Sequence, residues 1–404
     1  MWVDLLKSLR RQILDSILYF YDSLNLALSS STKIARNSSR KTAVFVRLDA
    51  IGDYVLWSST FHDLQELYPK NEYDWVLIGN GAWRTLADSM GLFDQILTVS
   101  RNRLRKNPFY RNEMLNGFRS LPCDVVIHST FSRDFAVADS IIRFLDAPLK
   151  VGFEGDLTNI PAWQRKISNG WYTELCAGTS DQTGELEWHA KFISHLKQKP
   201  VIIKTPDLAS YFSLDKIPYD LPREPYFVLF PGASWAGKRW PLAHFFSVAR
   251  KVQEKTGWLC VLCGSNDDHK FMEQELKAIE SSLGSFRLKN LMSRTTQSEL
   301  GLVLKGAKLL ISNDTSAVHL GAAVKTPTVC VLGGGHFGRF VPWKDATGGF
   351  ADNPACISVD MPCFGCGWNC IYPRGENTPV KCISDISVER VYDKALRVTG
   401  QDTR

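Results

Sequence analysis

A chain of 404 residues, 44% hydrophobic and 22% charged, is too long for one ordinary core and too apolar for a disordered polymer, so two folded domains are expected. A formal charge of +6, from 48 basic and 42 acidic residues, is too small to indicate a nucleic-acid partner. No apolar run reaches the roughly 18–20 residues of a spanning helix. Arg10, Arg11, Asp15 and Asp22 interrupt any signal-peptide core, so a cytoplasmic protein is expected.

Residues 1–28 read as an amphipathic helix. Leu5, Leu6, Leu9, Ile13, Ile17, Phe20 and Leu24 recur at helical spacing, while Lys7, Arg10, Arg11, Asp15 and Asp22 fall elsewhere. Residues 1–41 hold seven Lys/Arg against three Asp, which suits contact with an anionic membrane surface. A helix packed on its own protein or on a partner has the same pattern. Ser29–Ser39, rich in Ser and Thr, reads as a linker that closes a segment over 1–40.

From Lys41 onward, the apolar runs Ala43–Leu48, Asp74–Ile78, Ile96–Val99 and Asp124–His128 alternate with helix-like segments. That alternation predicts a parallel sheet covered on both faces, in a domain over 41–205. Prolines at 200, 206, 218, 222 and 225 mark a crossing, with a linker over 206–225. A second series follows in Tyr226–Phe230, Trp258–Cys263, Lys308–Ser312 and Thr328–Leu332, separated by helical segments such as Leu242–Thr256 and Asp268–Ser281. It predicts a second α/β domain over 226–360, then a cysteine-rich segment over 361–384 and a C-terminal helix and tail over 385–404.

Three segments carry chemistry. The first is Val46-Arg-Leu-Asp-Ala-Ile-Gly-Asp53, where a predicted strand ends, turns at Gly52 and enters a helix. Ligands of open α/β sheets bind beyond the carboxyl ends of the strands. Asp53 is therefore a candidate base for an attacking hydroxyl, or a cap on the next helix.

The second is Phe230-Pro-Gly-Ala-Ser-Trp-Ala-Gly-Lys-Arg-Trp-Pro241. Gly232 permits close backbone approach, Ser234 offers a hydroxyl, and Lys238 and Arg239 supply cationic donors. Those parts hold a diphosphate without a tightly bound metal; a basic surface loop anchored by Trp240 has the same composition. The third is Ile311-Ser-Asn-Asp-Thr-Ser-Ala-Val-His-Leu-Gly-Ala-Ala323, a strand entering a small-residue helix. Its first N–H groups attract anions, and Thr315 or Ser316 adds a hydroxyl. Asp314 suits a sugar hydroxyl rather than a phosphate, and His319 anchors the segment. No Asp-x-Asp pair occurs in the chain. Positive charge on a diphosphate therefore has to come from Lys238, Arg239 and helix N-termini.

Two further clusters stand apart. Arg101, Arg103, Arg105, Lys106 and Arg111 form a basic run in the first half, suited to phosphates or acidic sugars on an acceptor, or to a solvated loop. Cys363-x2-Cys366-x3-Cys370-x11-Cys382 offers four thiolates with a close first pair. Zinc is the default structural occupant of such a set, with a single iron or an iron–sulfur cluster as the alternative; four unligated thiols have the same spacing. Cys260 and Cys263 share a close spacing but sit in the apolar run Trp258–Gly264, where core packing is expected.

The motifs Arg-Leu-x-Ala-x-Gly-Asp, Pro-Gly-Ala-Ser-x-x-x-Lys-Arg-Trp-Pro and Asn-Asp-Thr-x-x-x-His-Leu-x-Ala-Ala, followed by Thr326-Pro-Thr-Val, occur in that order over roughly residues 42–385. Together they resemble the bacterial heptosyltransferase family (glycosyltransferase family 9). The resemblance implies two Rossmann-like domains facing across a cleft, the GT-B glycosyltransferase fold. It also implies inverting transfer, without a catalytic metal, of a sugar, typically from ADP-heptose, to a lipopolysaccharide-type acceptor.

By the same resemblance, Asp53 is the general base, and Ser234 and Lys238 contact the donor diphosphate. Asp314, Thr315 and His319 form the donor-sugar and phosphate loop. Asp267 or Asp268 meets the nucleotide ribose, and the basic run Arg101, Arg103 and Arg105 falls on the acceptor side. The implied partners are a nucleotide-sugar donor and a cell-envelope glycolipid, at the cytoplasmic face of the inner membrane. Ser316 departs from the family pattern, where many members have Gly. The N-terminal helix and the cysteine cluster are elaborations. A nucleotide-sugar epimerase or hydrolase of the same fold, or a non-catalytic nucleotide-binding scaffold, are the rival functions.

Overall fold

The apolar runs of the sequence become the strands of two parallel sheets. The computed structural model describes residues 2–29, 39–178, 184–214, 223–281 and 284–402. Residues 30–38 of the expected linker and 215–222 of the expected crossing lie outside the described residues, as do the side chains of residues 1–8.

The first sheet comprises β1 (Lys41–Arg47), β2 (Tyr73–Asn80), β3 (Gln95–Val99), β4 (Val125–His128), β5 (Leu149–Phe153) and β6 (Glu174–Cys176), in the order β3-β2-β1-β4-β5-β6. The second comprises β7 (Tyr226–Phe230), β8 (Leu259–Leu262), β9 (Leu288–Asn290), β10 (Leu310–Asn313), β11 (Thr328–Val331) and β12 (Ala355–Ile357), in the order β12-β11-β10-β7-β8-β9. Counted from their own first strands, the two orders are identical. It is the doubly wound order, in which a ligand crevice opens where strand order reverses. The reversal falls between β1 and β4 in one sheet and between β7 and β10 in the other. Continuous burial of β7, β10 and β11 accounts for their unbroken apolar sequence, since helices cover both faces of such a sheet.

Contacts divide the chain into two compact units, but not at the expected boundary of 205/206. The first holds residues 1–50, 61–181 and 191–200; the second holds 51–60, 182–190 and 201–404. The helix Ile51–Trp57 joins the second unit because it packs on the helix Ser316–Ala323. Residues 182–190 join it through Glu185, which pairs with Arg339 at 3.1 Å, and Glu187, which pairs with Lys344 at 2.9 Å. The cysteine-rich segment is likewise no separate body. Cys382 and Ile383 are part of the second unit's core, alongside Phe227, Leu229 and Trp240.

In the first unit, the helix Trp2–Leu28 turns Asp15, Asp22 and Asn25 inward beside the buried Leu18. Asp22 is 1% exposed and bonds the fully buried guanidinium of Arg111. Arg111 also donates to the Leu104 and Ala136 carbonyls and to Ser140 Oγ, so all of its donor hydrogens are used. Asp15 is likewise buried, with Arg105 at 3.5 Å. Removing one partner of a buried pair costs about 3–5 kcal/mol, enough to fix which side of the helix faces the domain. The outward side carries Leu9, Ile13, Ile17, Phe20, Leu24 and Leu28, each between 52% and 82% exposed. Amphipathicity was legible in the sequence; its inversion relative to the domain was not.

Candidate functional site

The loops leaving β7 and β10 meet at the switch point of the second sheet. Asn313, the last residue of β10, is fully buried. Its amide oxygen accepts from Trp240 N–H at 3.0 Å, and its amide nitrogen donates to the Pro231 carbonyl at 2.6 Å. One side chain thus fixes both ends of the 231–240 loop. Trp240 is buried and donates its indole N–H to Ile386 O at 2.9 Å, so the Trp is the anchor expected of it. Asn313 had no assigned role in the sequence motif that contains it; only the adjacency of β7 and β10 shows what it holds.

On that frame, Lys238 Nζ lies 3.0 Å from Asp314 Oδ2. The two residues read separately, as phosphate and sugar ligands, are an ion pair. Thr315 caps the helix Ser316–Ala323, its hydroxyl accepting from Ala317 N–H at 3.3 Å. Ser316 is half-buried, and Ser234 is exposed on the β7 loop. The arrangement therefore gathers Lys238, Asp314, Thr315 and Ser316 beside a helix N-terminus, where backbone dipoles favour an anion. Arg239 turns away from this point. It donates to the Ala233 carbonyl at 3.0 Å and lies 3.8 Å from the Phe271 ring centroid.

His319 is buried, with Nδ1 accepting from the Trp343 indole N–H at 3.2 Å. That bond requires the proton of the neutral ring on Nε2. Burial pushes the ring down to about 4, with Lys238 adding to the fall and Asp314 opposing it. The ring occupies the space a side chain at Gly52 would need: a Cβ there would sit 3.0 Å from His319 Cδ2. Gly52 thus lets the Ile51–Trp57 helix, which carries Asp53, close on the Ser316–Ala323 helix. Trp343 escaped notice in the sequence because no motif links it to His319.

The acidic pair divides. Asp268 closes a capping box, accepting from Ser265 N–H at 3.0 Å and Ser265 Oγ at 2.6 Å, and its carboxylate fills the place of a Gly232 side chain. Asp267 is exposed. Of the basic run, which belongs to the first unit, Arg101 and Arg105 bond Asp134 at 3.3 and 2.6 Å, and Arg105 also meets Asp15. Arg103 lies over the Tyr110 ring at 4.2 Å and is exposed. Two of the three expected acceptor ligands thus have carboxylate partners within their own domain.

Cys260 and Cys263 are fully buried, and burial pushes the Cys263 thiol up to about 12, as core packing requires. Cys363, Cys366, Cys370 and Cys382 line one small cavity with Trp368 and Tyr372. Gly334 N–H donates to Cys382 Sγ at 3.4 Å, and burial raises that thiol. The donor chemistry fits a thiolate metal site. Among the described residues, however, only His62, Asp63 and Glu66 bring three ligand atoms within 4.8 Å of one another. The sulfurs would have to draw in to the ~3.8 Å separation that tetrahedral Zn–S bonds impose. The His62 group is no better candidate, because Lys197 already occupies Asp63 and Glu66 at 2.5 and 2.6 Å.

Residues 140–364 match the family described as Glycosyltransferase family 9 (heptosyltransferase). The chain belongs to that family. Lipooligosaccharide heptosyltransferase 2 of Campylobacter jejuni is 27% identical over 169 residues, 41% of this chain and 48% of the relative. The chain thus spans about half the length of that curated relative. The E. coli ADP-heptose lps heptosyltransferase II structure superposes with a TM-score of 0.60 at 17% identity, covering 89% of this chain and 99% of the other. The family 9 glycosyl transferase of Veillonella parvula gives 0.63 at 16% identity, covering 90% and 98%. At such identities the likeness concerns the fold, two parallel-sheet α/β domains of the GT-B type.

The buried His319 of this family 9 chain has a measurable consequence. A ring with its folded value near 4 and its unfolded value near ~6.5 binds fewer protons folded than unfolded between those limits. Its contribution to stability is present above about pH 6.5 and lost as pH falls toward 4. His319→Gln should therefore lose about 2 kcal/mol less than the parent between pH 7 and pH 4.5 in urea unfolding. Equal losses in both chains would show that His319 titrates alike folded and unfolded.

Proposed function

We propose that the chain is an inverting glycosyltransferase that moves a heptose from ADP-heptose to a hydroxyl of a lipopolysaccharide or related envelope glycan, with no metal acting in the transfer step. One observation carries this reading: Lys238, Asp314 and the N-terminus of the Ser316–Ala323 helix converge at the switch point of the second sheet. A diphosphate there would receive Lys238, Ser234, the hydroxyls of Thr315 and Ser316, and helix N–H groups. These supply the positive charge that other nucleotide-sugar enzymes take from an Asp-x-Asp-bound cation. Asp314, released from Lys238, would accept from a sugar hydroxyl, and Asp267, left exposed, would meet the ribose. His319, neutral and held by Trp343, keeps the helix against Gly52.

Asp53 then removes the proton of the acceptor hydroxyl as it attacks the anomeric carbon, and the nucleoside diphosphate leaves on the opposite face. Charge builds on the departing phosphate, where prepositioned donors bind the transition state better than the ground state. Asp53→Asn should lower transfer by about 100-fold or more and leave the ADP dissociation constant within about twofold of the parent's. Parent-like turnover in that variant would remove Asp53 from the role of base.

The outward face of the Trp2–Leu28 helix supports contact with an anionic lipid surface, where a glycolipid acceptor resides. Asp15 and Asp22 are turned inward, whereas Arg10, Arg103, Lys106 and the 85% exposed Phe109 remain at the surface. Tyr21 of the helix reaches the Pro108 carbonyl, so apolar stripe and basic turn are contiguous. No described helix is long and apolar enough to cross a membrane, so the contact is peripheral. The parent should sediment with phosphatidylglycerol-containing vesicles and weakly with phosphatidylcholine alone; Ile17→Glu with Leu24→Glu should abolish sedimentation. A parent left in the supernatant, or a dimer that the double variant dissolves, would contradict lipid as the occupant.

The four-cysteine segment supports a structural zinc or iron, held by Cys363, Cys366, Cys370 and Cys382, whose chemistry is to crosslink the segment. Elemental analysis of the purified chain should find about one metal ion per molecule, lost in Cys366→Ser. A folded, metal-free parent would contradict the site.

A further inference from the structure

The cysteine segment and the loop leaving β7 are in direct contact through Trp368, which none of the motifs distinguishes. Trp368 lies between Cys366 and Cys370 and adopts a left-handed backbone conformation, φ +66°, which an L-residue holds only when its surroundings dictate it. Its indole packs on the glycine run after β11. A Cβ at Gly335 would fall 2.3 Å from Trp368 Cδ2, one at Gly333 3.0 Å from the same ring, and one at Gly334 2.2 Å from Phe364. The run is glycine because the two aromatic rings of the segment take the space of its side chains. Gly365 and Gly367 N–H groups donate to the Gly334 and Gly335 carbonyls at 2.8 and 3.0 Å, and Trp368 Nε1 donates to His336 Nδ1 at 3.1 Å.

The same indole also meets the β7 loop. Lys238 Nζ stands 4.7 Å from the Trp368 ring centroid while paired with Asp314. The Trp235 ring stands 5.7 Å away, edge to face. Val380 N–H donates to the Gly237 carbonyl at 2.9 Å. The Lys238 ammonium thus rests between a carboxylate and an aromatic face, and a ring quadrupole attracts a cation at this distance. A lysine stem is flexible and loses side-chain entropy when it is fixed. A surface that holds the ammonium in place before the ligand arrives removes part of that cost from binding.

We propose that Trp368 is a positioning residue: the cysteine segment seats its indole against Lys238 and the Gly333–His336 loop, and thereby sets the affinity of the site for a nucleoside diphosphate. The proposal rests on the reading of Lys238 as a diphosphate ligand, and the test separates the two.

ADP affinity is measured by calorimetry on the full chain and on Lys238→Met, Trp368→Leu, Trp368→Phe and the Lys238→Met/Trp368→Leu pair, with the urea midpoint of each recorded. Lys238→Met should weaken ADP binding. Trp368→Leu should raise the dissociation constant several-fold to about tenfold, and Trp368→Phe, which keeps the aromatic face, should restore most of the loss. In the Lys238→Met background, Trp368→Leu should have no further effect, because a residue acting through Lys238 has nothing left to position. Full additivity of the two losses, or an unchanged affinity in Trp368→Leu, would overturn the positioning role while leaving the donor site intact. An unchanged affinity in Lys238→Met would overturn the donor-site reading itself, and the positioning role with it. If Trp368→Leu does not fold, a Trp368→Phe that binds ADP as weakly as Lys238→Met overturns the role; parent-like binding supports it.

Discussion

The candidate site depends on a single buried amide. Asn313 ends β10, and its side chain bonds both the beginning and the end of the loop that leaves the neighbouring strand β7. Without it, Trp240 N–H and the Pro231 carbonyl would be buried without partners, and each unsatisfied group costs about 1–3 kcal/mol. The amide therefore does more than stabilise: it keeps the 231–240 loop in register with the Asp314–Ser316 turn. Lys238 can reach Asp314 only because that register holds. The pair matches the two charges to each other. On the proposed function, a diphosphate would take the lysine and leave the carboxylate for a hydroxyl.

A different balance governs the first unit. Arg111 lies fully buried and Asp22 nearly so, an expensive placement unless every donor is matched, and every donor of Arg111 is. The consequence is directional. Because Asp15 and Asp22 face inward to meet Arg105 and Arg111, beside the buried Leu18, the opposite side of the helix leaves Leu9, Ile13, Ile17, Phe20, Leu24 and Leu28 exposed. Burial of charge and exposure of apolar surface are thus two sides of one constraint.

Strand positions were legible in the sequence because both sheets are covered on both faces and their strands read as unbroken apolar runs. β5, whose Lys150 and Gly152 break the apolar run, was not, and neither were the edge strands β6, β9 and β12, each three residues long and only partly buried. The position of the candidate-site loops was legible for the same topological reason: in a doubly wound sheet, the loops that leave β7 and β10 line the crevice. Pairing was not. Sequence spacing cannot show that Arg101 and Arg105 meet Asp134, or that Lys238 meets Asp314. Nor can it show that Asp268 is spent on Ser265 while Asp267 stays exposed. Gly52 and the Gly333–Gly335 run look like flexible turns in one dimension. In three, each is small because a specific ring, His319 or Trp368 or Phe364, occupies the neighbouring space. The exchange of residues 51–60 into the second unit was likewise invisible, because it arises from that close approach and not from any linker composition.

The central claim is that the second unit binds a nucleoside diphosphate at the loops leaving β7 and β10. A crystal structure of the chain with ADP tests it most directly. The account predicts the diphosphate between Lys238 Nζ and the first N–H groups of the Ser316–Ala323 helix, with Lys238 withdrawn from Asp314. ADP bound elsewhere, or bound there with the Lys238–Asp314 pair unbroken, would contradict it.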